Sequence, residues 1–369
     1  MRKGWEYKRL DECANIEYGT RVVQKKDSGT LYPVYGGGGE TFRMDKFNRE
    51  DCLIVARFAM SRRCVRFVNG KFFLNDSGLS VKAGDKLYQS YLNYNIISLN
   101  DDIYHLGKGA AQRNLDVKSF KKLTIAIPPQ STQLAIVSEL DKINELIRLK
   151  KEQLKDFDNL AQSLFYEMFG DPVENEKGWE VSSVENVCSS IVRGPFGSAL
   201  KKEFFVEPNS NTYKVYEQKH AIQKDAKIGS YYVTEEKFKE LSRFEVKSGD
   251  IIMSCSGTIG ELFIIPPNAE KGLMNQALLK FTLNNQIYKR FFLFLMDCVK
   301  KDFTVRGTGL QNIGSVKIIK AMTFGLPPLS LQRLFAQRIE QIEREKSEVQ
   351  KSIQDLETLL ASRMQYWFE

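Results

Sequence analysis

The 369-residue sequence is poor in groups on which many enzymes and membrane proteins depend. It has two histidines, His105 and His220, and neither has neighbours arranged like metal ligands or like a nucleophile with its base. We interpret both as surface or packing residues. No stretch approaches the ~18 uncharged apolar residues of a membrane span, and the start lacks the apolar run of a signal peptide. We therefore expect a cytoplasmic protein that does not associate with a membrane.

Cysteine is also absent from the arrangements that carry redox or metal chemistry. The six cysteines lie far apart and form no Cys-x-x-Cys pair. This spacing is typical of reduced thiols packed inside an intracellular protein. The residues are Cys13, Cys52, Cys64, Cys188, Cys255 and Cys298.

Several catalytic motifs are missing. None of the three double prolines, at 128–129, 266–267 and 327–328, belongs to the Asn/Asp-Pro-Pro-aromatic tetrad of a DNA aminomethyltransferase. The glycines at 36–39 are not followed by the Gly-Lys-Ser/Thr of a phosphate-binding loop. Two Glu-x-Lys triplets resemble a nuclease motif but lack an upstream Pro-Asp element. We therefore predict a non-catalytic chain without a metal site or a cofactor of its own.

The composition is that of a folded protein with a basic surface. Hydrophobic residues make up 42% of the chain, enough for sizeable cores, and the length favours two domains. The 54 basic and 46 acidic residues leave a formal charge of +8. This excess is compatible with an acidic partner but does not establish one, because many basic proteins bind no polyanion.

A long stretch near the middle of the chain recurs at its end. From residue 131 to 169, apolar residues alternate at spacings of four and three over about five heptads, which is typical of a coiled-coil seam. The same alternation returns from residue 335 onward. The predicted seam positions are Ile136, Leu140, Ile143, Ile147, Lys150, Leu154, Phe157 and Leu164 in the first stretch and Phe335, Ile339, Ile342, Lys346, Val349, Ile353, Leu356 and Leu360 in the second.

The residues that flank the two stretches also match. Pro128-Pro129 with Gln133 corresponds to Pro327-Pro328 with Gln332, and Gly-Trp-Glu opens both halves, at 4–6 and 178–180. We therefore predict two tandem units of mixed α+β structure, each a globular block followed by a long helix. The expected boundaries are 1–130 and 171–329 for the blocks, and 131–170 and 330–369 for the helices. The block between the helices leaves room for the chain to return, so we expect the helices to form an antiparallel coiled coil.

Two lysines occupy interior positions of the predicted seam. Their ammonium groups need nearby carboxylates if the stems extend outward from the seam. The expected acceptors for the two ammonium groups are Glu145, Glu152, Glu345 and Glu348.

Binding chemistry remains, in loops that mix cationic, amide, glycine and aromatic residues. Arg and Lys neutralise phosphates, Arg pairs with guanine, and Asn or Gln pairs with adenine. Taken singly, each loop is better explained as a solvated turn on a basic protein. The glycines at 36–39 are equally compatible with a flexible ligand loop and with a mobile turn. The candidate DNA-contacting residues are Tyr35, Gly36, Gly37, Arg57, Arg62, Arg63, Lys108, Gln112, Arg113 and Asn114 in the first block and Arg193, Phe196, Ser198, Lys201, Lys202, Gln218, Lys219, Ser256, Thr258, Arg306, Thr308, Gln311 and Asn312 in the second.

These features together resemble one known family. The tandem layout, the Pro-Pro-x-x-x-Gln step into each helix, Gly-Pro-Phe-Gly-Ser at 194–198 and Gly-Asp-Ile-Ile-Met-Ser-Cys-Ser-Gly-Thr at 249–258 are similar to the specificity subunits of type I restriction–modification systems. The resemblance implies two target-recognition domains, each reading one half of an asymmetric bipartite site in double-stranded DNA. The first block departs from the pattern, since it lacks Gly-Pro-Phe-Gly-Ser.

The resemblance also implies partners. Two methyltransferase subunits, which hold S-adenosylmethionine, dock on the helices, and restriction subunits that use ATP and Mg join in some complexes. Two other interpretations stay open at this point. One is a coiled-coil scaffold that binds no DNA, and the other is a recognition fragment of a fused restriction–modification enzyme.

Overall fold

The structure, a computed structural model, describes residues 2–109, 112–300 and 316–368. The chain folds into two compact units. The first unit comprises Met1–Gln153 with Val349–Glu369, and the second comprises Leu154–Glu348. This division differs from the sequence-based scheme, because each long helix contributes one segment to each unit. None of the described helices is long and apolar enough to cross a membrane.

The first unit contains a ten-stranded globular part. Its strands are β1 (Glu6–Arg9), β2 (Ala14–Tyr18), β3 (Tyr32–Gly36), β4 (Gly39–Met44), β5 (Arg49–Ala56), β6 (Val65–Leu74), β7 (Gly78–Ala83), β8 (Gly107–Lys108), β9 (Asn114–Leu115) and β10 (Thr124–Ile127). Its helices are α1 (Leu10–Cys13), α2 (Gln24–Asp27), α3 (Gln89–Ser98), α4 (Asn100–His105) and α5 (Val117–Lys121), followed by the long helix α6 (Gln130–Phe169).

The second unit has a comparable set of elements. Its strands are β11 (Glu180–Ser183), β12 (Cys188–Arg193), β13 (Thr212–Tyr216), β14 (Tyr232–Thr234), β15 (Glu245–Val246), β16 (Ile251–Ser254), β17 (Leu262–Ile264), β18 (Gly272–Met274), β19 (Leu278–Leu283) and β20 (Thr323–Leu326). Its helices are α7 (Gln218–Gln223), α8 (Glu235–Glu240), α9 (Lys289–Val299), α10 (Val316–Lys320) and the long α11 (Leu329–Phe368), with short 3₁₀ turns at Gly197–Leu200, Lys202–Phe204 and Ser242–Phe244.

The two globular parts share one strand order. The first unit has a six-stranded sheet in the order β2-β7-β5-β6-β3-β4, and the second has two four-stranded sheets, β12-β19-β16-β17 and β14-β13-β18-β15. The orders coincide when β6 is matched to β17 and β18 together. The first part of β6 pairs with β5 and its end pairs in parallel with β3, whereas β17 and β18 divide these two roles. Apart from β15, which occurs in the second unit only, the sheets of the two blocks therefore share a topology.

A buried glutamine attaches each long helix to its globular part. The Gln133 side chain accepts a hydrogen bond from the Tyr88 amide and donates to the carbonyls of Lys86 and Pro128. Gln332 makes the same three bonds in the second unit. Its side chain accepts from the Tyr288 amide and donates to the carbonyls of Gln286 and Pro327. Since both side chains are fully buried, these bonds explain why Pro-Pro-x-x-x-Gln occurs twice.

Within each unit the two helix segments run antiparallel. In the first, Glu139 contacts Arg363 while Lys151, further along α6, contacts Glu357. In the second, Asp158 contacts Lys346 and Phe169 contacts Phe335, so rising numbers on α6 again meet falling numbers on α11. All the predicted seam positions are buried or half-buried.

The buried stripe departs from the heptad pattern toward the C-terminal end of each helix. Phe165 and Phe169 are almost fully buried, whereas the predicted Leu164 is only half-buried. At the matching positions of α11, Met364 and Phe368 pack against the core of the first unit. A helix with 3.6 residues per turn drifts about 20° per heptad, so four heptads displace the buried face by roughly one residue.

The expected acceptors for the two seam lysines were wrong. Lys346 pairs with Asp158 of the facing segment, and Lys150 donates to Gln153. Glu145 and Glu152 both bind Arg148, which lies three and four residues away on the same helix face. A guanidinium fork binds such carboxylates at two points, so Arg148 outcompetes a lysine for them.

Five phenylalanines join the helix pair to the globular part of the second unit. The Phe335 ring lies 5.6 Å from Phe165, 5.4 Å from Phe169 and 5.0 Å from Phe294, and Phe169 lies 4.9 Å from Phe291. Edge-to-face contacts of this kind add to the free energy gained by burial.

We expect Phe335→Ala to lower the free energy of unfolding by about 3–5 kcal/mol, because it opens a cavity among these rings. Leu334→Ala is the matched control, since Leu334 is 41% exposed on the same turn of α11 and its loss should cost about 0.5 kcal/mol or less. Denaturant unfolding of the full chain measures both. Equal losses would contradict the anchoring role.

Candidate functional site

In the first unit, four loops converge on Asn75, the residue after β6. Its amide donates to the Tyr35 carbonyl at 2.9 Å, and its carbonyl accepts from the Gly78 amide at 3.1 Å. Its side-chain oxygen accepts from the Ser77 amide at 2.9 Å. The Ser77 carbonyl in turn accepts from the amides of Arg57 and Phe58. We call residues 19–20, 36–37, 57–58 and 75–78 the first loop cluster.

Asn275 makes the same bonds in the second unit. Its amide donates to the Tyr216 carbonyl at 2.9 Å, its carbonyl accepts from the Leu278 amide, and its side-chain oxygen accepts from the Ala277 amide at 3.0 Å. The Ala277 carbonyl accepts from the Cys255 amide at 2.7 Å. We call residues 194–195, 217–218, 255–256 and 275–278 the second loop cluster.

One glycine in each cluster is required by close approach to the asparagine. A Cβ on Gly19 would lie 1.9 Å from the Asn75 carbonyl oxygen, and a Cβ on Gly194 would lie 1.9 Å from that of Asn275. Gly19 is thus the counterpart of Gly194, the first glycine of the Gly-Pro-Phe-Gly-Ser motif. The rest of that motif is absent from the first block. The two asparagines, each directly after an apolar strand, were the signal in the sequence that could have revealed the match.

The loops at 57–60 and 255–258 also correspond. β5 and β16 end in the same register, with Ala56 opposite Gly78 and Ser254 opposite Leu278. The third residue after each strand has a left-handed backbone conformation, Ala59 with φ 49° and Gly257 with φ 74°. Ala59 adopts this conformation although it has a Cβ. Its backbone amide donates a hydrogen bond to the Asn114 side-chain oxygen at 3.3 Å.

The glycines at 36–39 form a tight hairpin turn between β3 and β4. Gly36 and Gly37 are buried and only Gly38 is exposed. A Cβ on Gly37 would lie 2.2 Å from the Phe58 carbonyl oxygen, so glycine is needed here for close packing. Tyr35 contacts Phe72 edge to face, with the ring centroids 5.5 Å apart.

Three arginines lie near the first cluster, Arg62 and Arg63 in the loop after β5 and Arg66 in β6. Arg62 and Arg63 are exposed, and across the described part of the chain their side chains have no ionic or hydrogen-bond partner. Arg66 is half-buried and donates to the carbonyls of Gly37 and Arg63. Its burial, with a smaller effect of the Arg63 charge, lowers its pKa.

The predicted contact residues between 107 and 114 are partly engaged within the protein. Lys108 pairs with Asp116 at 2.6 Å, and this hydrogen bond is the main cause that lowers the Asp116 pKa to about 2. Arg113 stacks on Tyr104 and donates to its carbonyl at 3.2 Å. Gln112 remains exposed. This loop meets the first cluster through the Ala59–Asn114 bond described above.

In the second unit the predicted residues surround the cluster. The Gln218 side-chain oxygen accepts a hydrogen bond from the Asn275 side-chain nitrogen Nδ2 at 3.4 Å, and Lys219 forms an ion pair with Glu217 at 2.6 Å. Thr258 is exposed and Ser256 half-buried in the loop after β16. Lys201 and Lys202 are exposed, and Lys201 lies 3.6 Å from Glu203.

Two of the remaining candidates, Phe196 and Ser198, lie in the loop after β12, and the other four lie outside the described residues. Phe196 is 67% exposed, and Ser198 belongs to the Gly197–Leu200 turn. Arg306, Thr308, Gln311 and Asn312 lie outside the described residues. The matched loops at Gln112 and Gln311 can therefore be compared in sequence only.

Neither a thiol nor a metal cluster adds chemistry to these surfaces. Among residues 2–109, 112–300 and 316–368 there is no disulfide and no group of three or more side chains that could hold a metal ion. Burial raises the pKa of the Cys13, Cys64 and Cys255 thiols to about 11. Thiols with raised pKa values stay protonated and react slowly.

His220 is a packing residue of the second unit, as expected from the sequence. Its buried ring accepts the Glu217 amide at Nδ1 and donates from Nε2 to the Ile228 carbonyl at 2.7 Å. This arrangement fixes the neutral tautomer at the start of α7. Burial is the main cause that lowers its pKa from 6.5.

The lowered pKa predicts a loss of stability in acid. Below about pH 6.5 the unfolded state binds a proton that the folded ring does not, so stability present above that pH is lost as pH falls. We expect the thermal unfolding midpoint to fall more steeply between about pH 7 and 5.5 in the natural chain than in His220→Gln. His105→Gln, at an exposed position, should keep the natural slope. Identical slopes in all three chains would contradict this assignment.

Comparison with known proteins gives a consistent result. The family model of the type I restriction modification DNA specificity domain matches residues 2–156 and again residues 176–358. A type I restriction enzyme specificity subunit of Haemophilus influenzae is 23% identical over 363 residues, covering 92% of this chain and 87% of that protein.

Solved structures share the fold. The S subunit of a type I restriction-modification system from M. genitalium aligns with a TM-score of 0.53 at 17% identity, covering 98% of this chain and 95% of the other. A chain from a study of complex assembly and conformational transition of the type I R-M system aligns with a TM-score of 0.64 at 16% identity, covering 100% and 98%.

Proposed function

This chain belongs to the family of type I restriction-modification DNA specificity subunits, and we propose that each of its loop clusters reads one half of a bipartite DNA site. The target-recognition domains are then the two globular parts, and the long helices connect them. Because the clusters present different side chains, the two half-sites differ and the whole site is asymmetric.

The observation that carries this proposal is the repetition of one loop framework with different side chains. The backbone bonds around Asn75 recur around Asn275, while the exposed positions nearby differ in charge and shape. A framework fixed by backbone bonds can present variable side chains at constant positions. Base-edge recognition needs this combination, since specificity comes from side chains held in a defined register.

We propose that the chain itself performs no chemistry. Family membership supports this division of labour, in which methyltransferase subunits hold S-adenosylmethionine and restriction subunits, where present, use ATP and Mg. Double-stranded DNA is the substrate that all of them share. The positive formal charge of +8 favours association with its phosphates.

We further propose that the methyltransferase subunits dock on the long helices. In the first unit, α6 carries a shallow groove lined by Leu134, Val137 and Leu146 and bordered by Asp141 and Lys142. Leu134 and Leu146 are about half exposed. Exposed leucines in a row, with charges at the border, suit an amphipathic helix of a partner.

Exchange of one globular part tests the modular reading. Replacing residues 178–326 by the equivalent segment of another family member should change one half-site and leave the other intact, because this segment begins and ends at the paired strands β11 and β20. Sequencing of methylated DNA from cells that carry each version measures both halves. A simultaneous change in both halves would contradict independent domains.

Lys202 should contribute charge and no base reading. It is exposed and, among the described residues, its ammonium group has no partner. We expect Lys202→Ala to weaken binding of all sequences alike and to reduce the salt dependence by about one ion. Lys239→Ala is the control, since Lys239 already pairs with Glu235 at 2.9 Å. Loss of affinity for some sequences only would instead place Lys202 at a base.

A further inference from the structure

An arginine lies over the first loop cluster. The Arg57 guanidinium stacks on Tyr18 at 5.0 Å and on Phe58 at 4.4 Å, and its Nη1 donates to the Asp76 carbonyl at 3.2 Å. Asp76 directly follows Asn75, the residue on which the cluster converges. Tyr18 is 46% exposed, so the stacked pair lies at the surface and not in a core.

An arginine also lies over the second loop cluster. The Arg193 guanidinium stacks on Phe196 at 5.1 Å, and its Nε donates to the Gln276 carbonyl at 3.4 Å. Gln276 directly follows Asn275. Its aromatic support is exposed as well, since Phe196 is among the most exposed large hydrophobic residues.

The two guanidinium groups bind equivalent carbonyls but come from different strands. Arg57 follows β5, where the second unit has Cys255 after β16. Arg193 ends β12 opposite Leu279, where the first unit has Tyr18 opposite Leu79. Sequence alignment therefore cannot match these arginines, because neither lies at the position of the other.

The surroundings suit recognition better than simple stability. The Arg57 guanidinium, which is stacked on two rings and donates from Nη1 to a carbonyl, has lost part of its side-chain freedom, and its planar fork is pre-organised for a bidentate acceptor. The O6 and N7 atoms of guanine form such an acceptor at the edge of the major groove. Among the described residues, no carboxylate forms an ion pair with Arg57, so the protein itself does not neutralise the Arg57 guanidinium.

We propose that Arg57 and Arg193 are corresponding guanine-reading residues, and that both half-sites carry a guanine at the corresponding position. The inference rests on the proposed function, because it requires the loop clusters to face DNA. It adds a constraint that family membership does not give, namely a shared base at one position of two otherwise different half-sites.

Substitution by lysine and glutamine tests the inference in the full chain assembled with its methyltransferase subunits. Methylation of a randomised DNA library gives the preference at every position of both half-sites. Arg57→Lys keeps the charge but loses the fork, so guanine preference should fall about 5- to 150-fold at one position of one half-site. Arg193→Lys should do the same at the corresponding position of the other half-site.

The glutamine variants give a change of preference and not only a loss. Glutamine pairs bidentately with adenine, so Arg57→Gln and Arg193→Gln should each shift the preference at that position from guanine toward adenine. Arg43→Lys and Arg243→Lys are the matched controls, one in each globular part, and should leave both half-sites unchanged. Thermal unfolding of each variant shows whether it is folded before its selectivity is compared.

The outcomes separate this inference from the proposed function. Unchanged selectivity in the folded lysine and glutamine variants would overturn the role of the arginines, as would changes at non-corresponding positions or at a base other than guanine. If exchange of residues 178–326 still alters one half-site, the proposed function stands in that case. If the exchange alters neither half-site, the proposed function itself fails.

Discussion

One buried glutamine in each unit holds together the parts on which everything else depends. The carboxamide of Gln133 binds the end of the sheet at Pro128, the loop at Lys86 and the start of α3 at Tyr88, and Gln332 repeats these bonds in the second unit. Because the side chain is fully buried, a shorter or apolar residue would leave several backbone groups unpaired, each at a cost of about 1–3 kcal/mol. The direction in which each long helix leaves its globular part is therefore fixed by bonds that do not tolerate substitution.

The loop clusters follow a second constraint, which acts on the backbone. At Asn75 and Asn275 the bonds that locate the neighbouring loops run almost entirely between main-chain groups and the asparagine side chain. Neighbouring side chains are consequently free to differ, as Ser77 and Ala277 do. The same helix attachment and the same loop framework therefore occur twice in a single chain, while the side chains around them differ.

The sequence predicted the large features because they depend on periodicity. The repeat, the two long helices and their antiparallel pairing are present in the structure. The shared topology of the globular parts could not be predicted by inspecting the residues, because it is maintained by backbone bonds. In the sequence these bonds leave little signal beyond Asn75, Asn275 and the glycines that approach them. The burial of Phe165 in place of Leu164 was missed for a geometric reason, the drift of a 3.6-residue helix against a seven-residue pattern. Side-chain partners such as Tyr104 for Arg113 depend on how separate elements pack together and could not be read from local motifs.

The exchange of positions between arginine and its neighbours shows how such a framework can vary. Arg57, after β5 in the first unit, and Arg193, at the end of β12 in the second, bind the equivalent carbonyl, whereas the matching strand ends carry Tyr18 in the first unit and Cys255 in the second. Either end can supply the guanidinium, since the carbonyl fixes one nitrogen and an exposed aromatic ring supports the plane. A specificity subunit can therefore retain the chemistry of a contact while the residue that makes it moves to another strand. Position-by-position alignment of the two globular parts would therefore miss this correspondence, because the guanidinium lies over the equivalent carbonyl in both but is carried by a different strand end.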